Sequence, residues 1–577
     1  MKTIKRFLVL AFAIPCLVTG VTAQSLLWSA HYLASNDYDD AQDVHLGGDG
    51  RVYVAGNMGS ATTEDALLIS YTSGGTQNWV ATYSGSSGVG DGFNAVTSYG
   101  SSSSIEIYAA GYAGIGFNGQ DMLLAKYDQS GTQQWVVTWN NVGASFEIAN
   151  AVTVDGSGNV YVCGRTSVNG GDLFVRKYNS SGTLQWGTTY NSSGSQDDAP
   201  QFMMYDGVSA LYITSIRTIS STDHDAVLQK VDISTGSILW TSVYDNTLAN
   251  DIDETYSLDI HSTRLNTGIY VVGKTQTASN GADALLLVYD ASGNLTCSNT
   301  WNNSSYNLDD VLGSIDVYSP TDAVMVYVTG YTQINTVNND ADFLTMQFDC
   351  SGVTWLTTYD GTGTSCPLTN DDQGIMIKVS PFTGYVYVTG KSWETSSSLN
   401  ATTLKYDPST GSQLWMHTYD RTNADNTPAY KYPLELDYDA CRNGDIIYVT
   451  GYSRESGIGS FTDATTLKYG PGGRCVGGSS PLGANDAARL GSSGDVLATR
   501  LYSNNSTKQL EFGCNVKEIN NASFIIYDFS GREIKREDNI KTNEFNIDTK
   551  ELSSGIYFYH FIDGENSISS QKFIIER

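Results

Sequence analysis

The sequence alternates short apolar runs with turns rich in Gly, Ser, Asn and Asp, and the runs recur at near-constant spacing. Residues 172–190, DLFVRKYNSSGTLQWGTTY, are the clearest copy. An apolar run opened by Asp172 passes through a Ser-Ser-Gly turn into a second run carrying Trp186 and Tyr190. This pattern predicts a strand, a tight turn and a strand. Residues four apart on a strand share a face, so Trp186 and Tyr190 point the same way. The opening Asp returns as Asp65, Asp121, Asp225, Asp283, Asp342 and Asp463, with Asn400 in the remaining copy. The Trp returns as Trp79, Trp135, Trp240, Trp355 and Trp415, with Cys297 in one copy. Upstream of each opening residue stands a strand of the Val-Tyr-Val-x-Gly type. Its tyrosines run from Tyr53 to Tyr448 at intervals of 51 to 61 residues. One more apolar strand precedes it, such as residues 151–154. No long 3.6-residue periodicity argues for a substantial helix.

Each repeat therefore predicts four strands, A to D. Strands B and C are apolar at nearly every position, which suits sheets buried on both faces. Four-stranded sheets packed face to face around an axis make a β-propeller. The last repeat stops after its third strand, at Tyr469, while residues 25–32, SLLWSAHY, carry Trp28 and Tyr32 at the spacing of strand D. The expected fold is all-β: an eight-bladed β-propeller over 24–472, closed by its N-terminal strand, which removes exposed sheet edges. A Gly/Ser/Pro-rich linker follows over 473–500, then a small C-terminal β-sandwich over 501–577 with Gly turns.

Lys2, Lys5 and Arg6 precede an apolar run and the small residues Val21-Thr22-Ala23, so 1–23 reads as a secretory signal and the mature chain as starting at Gln24. No other segment is apolar enough to span a bilayer as a helix. The mature chain keeps seven cysteines without metal-knuckle spacing. Cys441 and Cys475 form the expected disulfide, and Cys163 is expected to pack inside strand B. The net charge is −29, and residues 500–577 are nearly balanced with 10 basic and 12 acidic residues. The negative charge thus sits on the propeller and disfavours nucleic acid or anionic membrane as partners.

The segment Gly158-Asn159-Val160-Tyr161-Val162-Cys163-Gly164 resembles the core of the bacterial β-propeller repeat family, which implies fold more than activity. The tail resembles the C-terminal sorting domain of the type IX secretion system of Bacteroidetes. The matching residues are Tyr527-Asp528, Gly531-Arg532, Leu552 with Gly555-Ile556-Tyr557, and the strand led by Lys572. That resemblance implies passage through the periplasm and outer membrane by the type IX machinery, then release or surface attachment. Two turns, Asp232-x-x-Thr235-Gly236-x-x-x-Trp240 and Asp407-x-x-Thr410-Gly411-x-x-x-Trp415, are similar to the tryptophan-docking motif of pyrroloquinoline-quinone propellers, where it locks blades together. The adjacent cysteine pair usual in those enzymes is absent from the sequence.

The six histidines show no metal-site spacing, and no Gly-x-Ser-x-Gly elbow occurs. The notable chemistry is acidic. The connections from strand D to the next strand A carry Asp197 and Asp198; Asp251, Asp253 and Glu254; Asp309 and Asp310; and Asp371 and Asp372, which are the candidate ligand-binding residues. In a propeller these connections gather on one face. Hard cations favour such oxygen clusters, so Ca2+ is the one cofactor left open, with Asp37, Asp39, Asp40, Asp251 and Asp253 as candidate ligands. Turn capping by each Asp is the competing structural reading. The leading expectation is a secreted or cell-surface module that binds a glycan or a protein without chemistry. The alternatives are a polysaccharide hydrolase or lyase using Asp251 or Asp253 with Glu254, or a structural surface component.

Overall fold

The structure is a computed structural model. It describes residues 24–471 without the stretches 33–37, 61–62, 87–89, 102–103, 116–118, 142–144, 169–170, 191–197, 247–250, 263–266, 277–280, 320–323, 336–339, 362–371, 381–382, 396–397, 420–430, 440–444 and 455–461. It also describes 499–575 without 505–508, 515–521, 529–532, 542–543, 549, 551, 553–554 and 564–565. The described residues form strands joined by turns, and no helix among them is long and apolar enough to cross a membrane.

The strands before residue 472 sort into units of four antiparallel strands in the order A-B-C-D. Unit 1 is Tyr38–Leu46, Val52–Ser60, Thr63–Tyr71 and Gln77–Tyr83; unit 3 is Glu147–Val154, Val160–Thr166, Asp172–Tyr178 and Leu184–Tyr190. Six units stand as separate sheets. The last unit takes Lys431–Asp439, Ile446–Arg454 and Thr462–Pro471 from its own end of the chain, and its fourth strand is Gln24–Tyr32. It shares one sheet with unit 1 through a single parallel pair, Tyr38 with Thr462. The A strands of consecutive units pack side by side, and that of the last unit packs against those of unit 7 and unit 1, so the ring closes.

The core lies between the units. Each hydrophobic cluster draws on two consecutive units: Tyr53, Leu68, Phe93 and Leu123 join units 1 and 2, and Val54, Ile69, Tyr448 and Ala464 join the last unit to the first. A four-stranded sheet cannot bury both faces alone, so the neighbour supplies the second wall. The strand B tyrosines fill these walls, and polar tips find partners: Tyr161 donates its hydroxyl hydrogen to Asp155 at 2.8 Å. Cys163 is buried as expected, and burial pushes its thiol up to about 12.

The strand D tryptophans reach the turn of the next unit. Trp135 and the Lys126 opposite it both donate to the Ser180 carbonyl at 3.0 Å, and Trp186 and Lys177 both donate to the Ile233 carbonyl at 3.0 Å. The Trp186 ring lies over Gly236, whose φ is +73°. A Cβ there would sit 2.5 Å from Cε3 of Trp186, so the position needs glycine for both backbone and space. Trp355 covers Gly411 in the same way, so both docking motifs lock onto the preceding unit. At the closure, Trp28 stands opposite Lys468 and both donate to the Ser73 carbonyl.

Unit 5 departs from this pattern. Cys297 occupies the tryptophan position and forms a disulfide with Cys350 in the turn of unit 6, with a Cα–Cα distance of 6.0 Å. The sequence reading had marked Cys297 as a missing Trp without assigning it a partner. The expected Cys441–Cys475 pair lies outside the described residues.

The tail forms two sheets: Thr499–Asn504, Gln509–Cys514 and Glu544–Asp548, and Glu533–Ile540, Ala522–Asp528, Gly555–Asp563 and Asn566–Ile575. Asp528 pairs with Tyr557, and Lys572 pairs with Phe558. Leu552 and Tyr557 are buried. Gly531 and Arg532 lie outside the described residues.

Candidate functional site

Every A strand carries a bulge, and the bulge aligns the units. Two residues before it stands a buried acid in seven units: Asp39, Asp91, Glu147, Asp198, Asp253, Asp310 and Asp372. Lys431 takes the place in the last unit. The sequence reading assigned Asp39, Asp198, Asp253, Asp310 and Asp372 to connecting loops. The structure instead puts Asp39, Asp198, Asp253 and Asp310 at the start of the inner strands, and the carboxylates of Asp253 and Asp310 accept backbone hydrogens that loops leave unpaired. Asp372 accepts from the backbone N–H of Gly361, where unit 6 ends, and of Trp393 in its own strand B, both at 2.6 Å. Asp253 accepts from the Asn246 N–H at 2.8 Å and the Thr275 hydroxyl at 2.5 Å. Asp310 accepts from the Asn303 N–H at 2.7 Å. These carboxylates stitch one unit to the next.

The strand C acids lie in the same lateral row: Glu147 pairs with Thr166, which pairs with Asp172, and Asp310 with Thr332, which pairs with Asp342. Asp65, Asp283 and Asp342 also lie near the inner acid of the next unit, Asp91, Asp310 and Asp372 in turn. Burial first, then Asp360 and Asp342, pushes Asp372 up to about 7. Burial with Asp360 and Asp340 pushes Asp342 up to about 7, and Asp253 and Asp310 are pushed up to about 6, mainly by burial. A carboxyl whose pKa is raised on folding binds more protons in the native state, so the fold loses stability as pH rises from the unfolded pKa, about 4, through the folded one. Asp342→Asn is therefore expected to raise the melting temperature above that of the parent protein at pH 8, where Asp342 is ionised, and to give no gain at pH 5, where it is protonated. Parallel melting curves at the two pH values check this, and an equal effect at both would refute the assignment.

One junction breaks the repeat. Between units 4 and 5, one carboxylate oxygen each from Asp245, Asp251 and Asp253 lie within 4.8 Å of one another. Glu254 beside them receives His224 Nδ1 at 2.7 Å, Lys274 Nζ at 3.1 Å and the Tyr256 hydroxyl. Burial works to raise the Glu254 pKa, but Tyr256, Lys274 and His224 together hold it below the usual range. Arg217 pairs with Asp225 on the same rim, and the His224 N–H donates to the Asp251 carbonyl at 2.9 Å. Strand A of unit 5 is Asp253–Ser262 and strand C of unit 4 is Asp223–Asp232, so the rim of the ring brings these residues together across about thirty positions of sequence.

The remaining candidates are dispersed. Asp309 Oδ1 accepts from the Ala282 N–H at 2.8 Å at the junction of units 5 and 6. Asp39 and Asp40 belong to unit 1, where burial raises Asp40 against a hydrogen bond from Thr462. Asp37, Asp197 and Asp371 lie outside the described residues. The expected cation set is thus divided, with Asp251 and Asp253 meeting Asp245 while Asp39 and Asp40 serve another junction.

Sequence reasoning missed Asp245, and it missed a group at the ring axis. Asp259 Oδ2 accepts from the Val317 N–H at 2.7 Å, and Asp316 Oδ2 from the Val379 N–H at 2.5 Å. Burial and then Asp316 raise the Asp259 pKa, with Lys378 opposing. Asp259, Asp316 and Lys378 hold the same bulge-relative place in three successive units. That alignment was the available signal, and it needs the bulge to be read.

Comparison with known proteins agrees with this architecture. Residues 500–576 match the family model described as a secretion system C-terminal sorting domain, and residues 143–172 match the beta-propeller repeat model. No curated protein matches the chain. Among solved structures, the quinohemoprotein alcohol dehydrogenase of Comamonas testosteroni is similar at 11% identity and a TM-score of 0.46, covering 83% of this chain and 79% of that one. The quinohemoprotein alcohol dehydrogenase ADHIIG of Pseudomonas putida HK5 is similar at 11% identity and a TM-score of 0.43, covering 84% and 80%. Neither cofactor nor activity transfers at that similarity. The chain thus contains a beta-propeller repeat at 143–172 and, at 500–576, a type IX secretion sorting domain, which marks it as secreted or displayed at the cell surface by way of the periplasm.

Proposed function

We propose that the ring is an eight-bladed propeller acting as a surface-delivered binding or scaffold module, with its ligand face centred on the junction of units 4 and 5. The ligand is a glycan or a protein partner. In a repeat protein, residues that hold the fold recur from unit to unit, and residues that break the pattern at one place are available to a ligand. The observation that carries the reading is the connected group His224, Glu254, Tyr256 and Lys274. The pair Glu254–Lys274 has Asp40–Asn57, Gly92–Tyr112, Ile148–Arg165, Ala199–Ile216, Val311–Tyr331, Gln373–Lys391 and Tyr432–Tyr452 at the matching places, so the lysine recurs once but the acid–lysine pair does not. His224, Glu254 and Lys274 are all partly exposed. The hydrolase reading has less support, because a Glu254 held ionised by three donors has no proton to give to a leaving group. Export fits a signal at 1–23, removal of that signal before Gln24, and a Gly/Ser/Pro-rich linker at 473–500 ahead of the sorting domain.

The test is a glycan array together with a surface pull-down, run on residues 24–577 and on a Glu254→Gln/Lys274→Met variant. Ligand captured by the parent and lost by the variant supports the face. A blank array and an empty pull-down sink the binding reading and favour a structural surface component.

A further inference from the structure

Asp245, Asp251 and Asp253 bring three carboxylates together where the chain leaves unit 4 and enters unit 5. Grouped acids alone do not make a site, but Asp251 adds a separate observation. It is 3% exposed, and its Oδ2 is buried with no hydrogen-bond donor among the described residues. The two oxygens of one carboxylate are too close for that orphan to lie away from the cluster. A buried carboxylate oxygen without a donor is costly, and a cation is the usual remedy. Asp253 uses one lone pair on each oxygen, for Asn246 and Thr275, and keeps the others. The neighbouring donors are engaged elsewhere: Arg217 holds Asp225, and Lys274 and His224 hold Glu254.

We propose that Asp245, Asp251 and Asp253 form a calcium site that ties unit 4 to unit 5. Three carboxylate oxygens within 4.8 Å of one another can share one hard cation. Mg2+ gives up its water reluctantly and is seldom held by an all-protein cage, so a cluster of three carboxylates suits Ca2+. Six to eight oxygens suit Ca2+, so water and backbone carbonyls complete the shell. The site stands independently of the ligand reading above, because it needs only the metal.

The test uses the full mature chain, residues 24–577, stripped with a chelator and titrated with Ca2+ by calorimetry. A parallel titration with Tb3+ reads luminescence excited through tyrosine. Tyr244, whose hydroxyl feels Asp253, Asp251 and Asp245, is the expected antenna. The expected result is saturable Tb3+ emission displaced by Ca2+ at a concentration at least tenfold below that required of Mg2+. Asp251→Asn and Asp245→Asn each weaken Ca2+ binding at least tenfold. Asp372→Asn, at a junction where the carboxylate is filled by two backbone hydrogens, leaves it within twofold. Asp245 is exposed, so its variant reports on the site even if Asp251→Asn disturbs folding. Absence of Ca2+ and Tb3+ binding by the parent chain overturns the proposal, as does parent-like affinity in Asp245→Asn.

Discussion

Deleting residues 24–32 from the mature chain is expected to abolish the single cooperative melting transition of the ring and to leave a protein that aggregates. These residues are the fourth strand of the last unit, paired with Thr462–Pro471 along its length. Without them that strand becomes an open edge with a row of unpaired backbone groups, a template for pairing with another chain. The loss also strips Trp28, Ala30 and Tyr32 from the cluster that joins the last unit to the first, and removes the bond from Trp28 to the Ser73 carbonyl. Closure is then reduced to the inner strands and the one pair Tyr38–Thr462. Trp28→Ala tests the clasp alone: the transition should persist at a lower temperature, because the strand pairing survives. Calorimetry with light scattering distinguishes the cases. A deletion variant that melts like the parent would show that the strand is dispensable and the closure argument wrong.

Removing the Cys297–Cys350 disulfide is expected to cost about 4 kcal/mol, from the chain entropy of a loop of this size. The bond closes a sequence separation of 53 residues. It also stands where the other junctions have a tryptophan over a turn glycine: Gly352 has nothing within 4 Å, whereas Gly293 is covered by Trp240 and Gly411 by Trp355. Once the bond is gone the rim of units 5 and 6 has no tryptophan clasp and keeps the Asn299 side-chain amide, which donates to the Asp349 carbonyl at 2.7 Å. Cys297→Ser/Cys350→Ser should lower the melting temperature under oxidising conditions, and a reductant should do the same to the parent but not to the variant. Hydrogen exchange should accelerate first in Leu295–Trp301, the outer strand that the bond holds. An unchanged melting temperature in both experiments would show that the bond contributes nothing to the ring.

Much of the ring was legible because its determinants are local and repeated. The Asp-to-Trp spacing, the tyrosines from Tyr53 to Tyr448 and the fragments at the two ends recur in sequence, and the strand pairing of Trp28 with Lys468 repeats that of Trp186 with Lys177. The sorting tail was legible for the same reason, since its motifs lie in order along 527–573. The partner of Cys297 was not, because spacing shows that a tryptophan is missing without showing which turn the strand faces.

The acids divide along the same line. Composition and spacing alone marked the D-to-A connections as acidic and put Asp251, Asp253 and Glu254 among the candidates. Whether a given carboxylate is a staple or a free ligand depends on which backbone hydrogens reach it, and these come from a neighbouring unit. Asp372 is filled by Gly361 and Trp393, while Asp251 keeps an unfilled oxygen beside Asp245. The sequence by itself determined the repeat, the strand order, the closing strand and the export tail, because each is written in short-range pattern. Only the tertiary structure decided which acids hold the ring, which gather at the junction of units 4 and 5, and which cysteine replaces a clasp, because those outcomes are set by contacts between units that packing around the ring brings together.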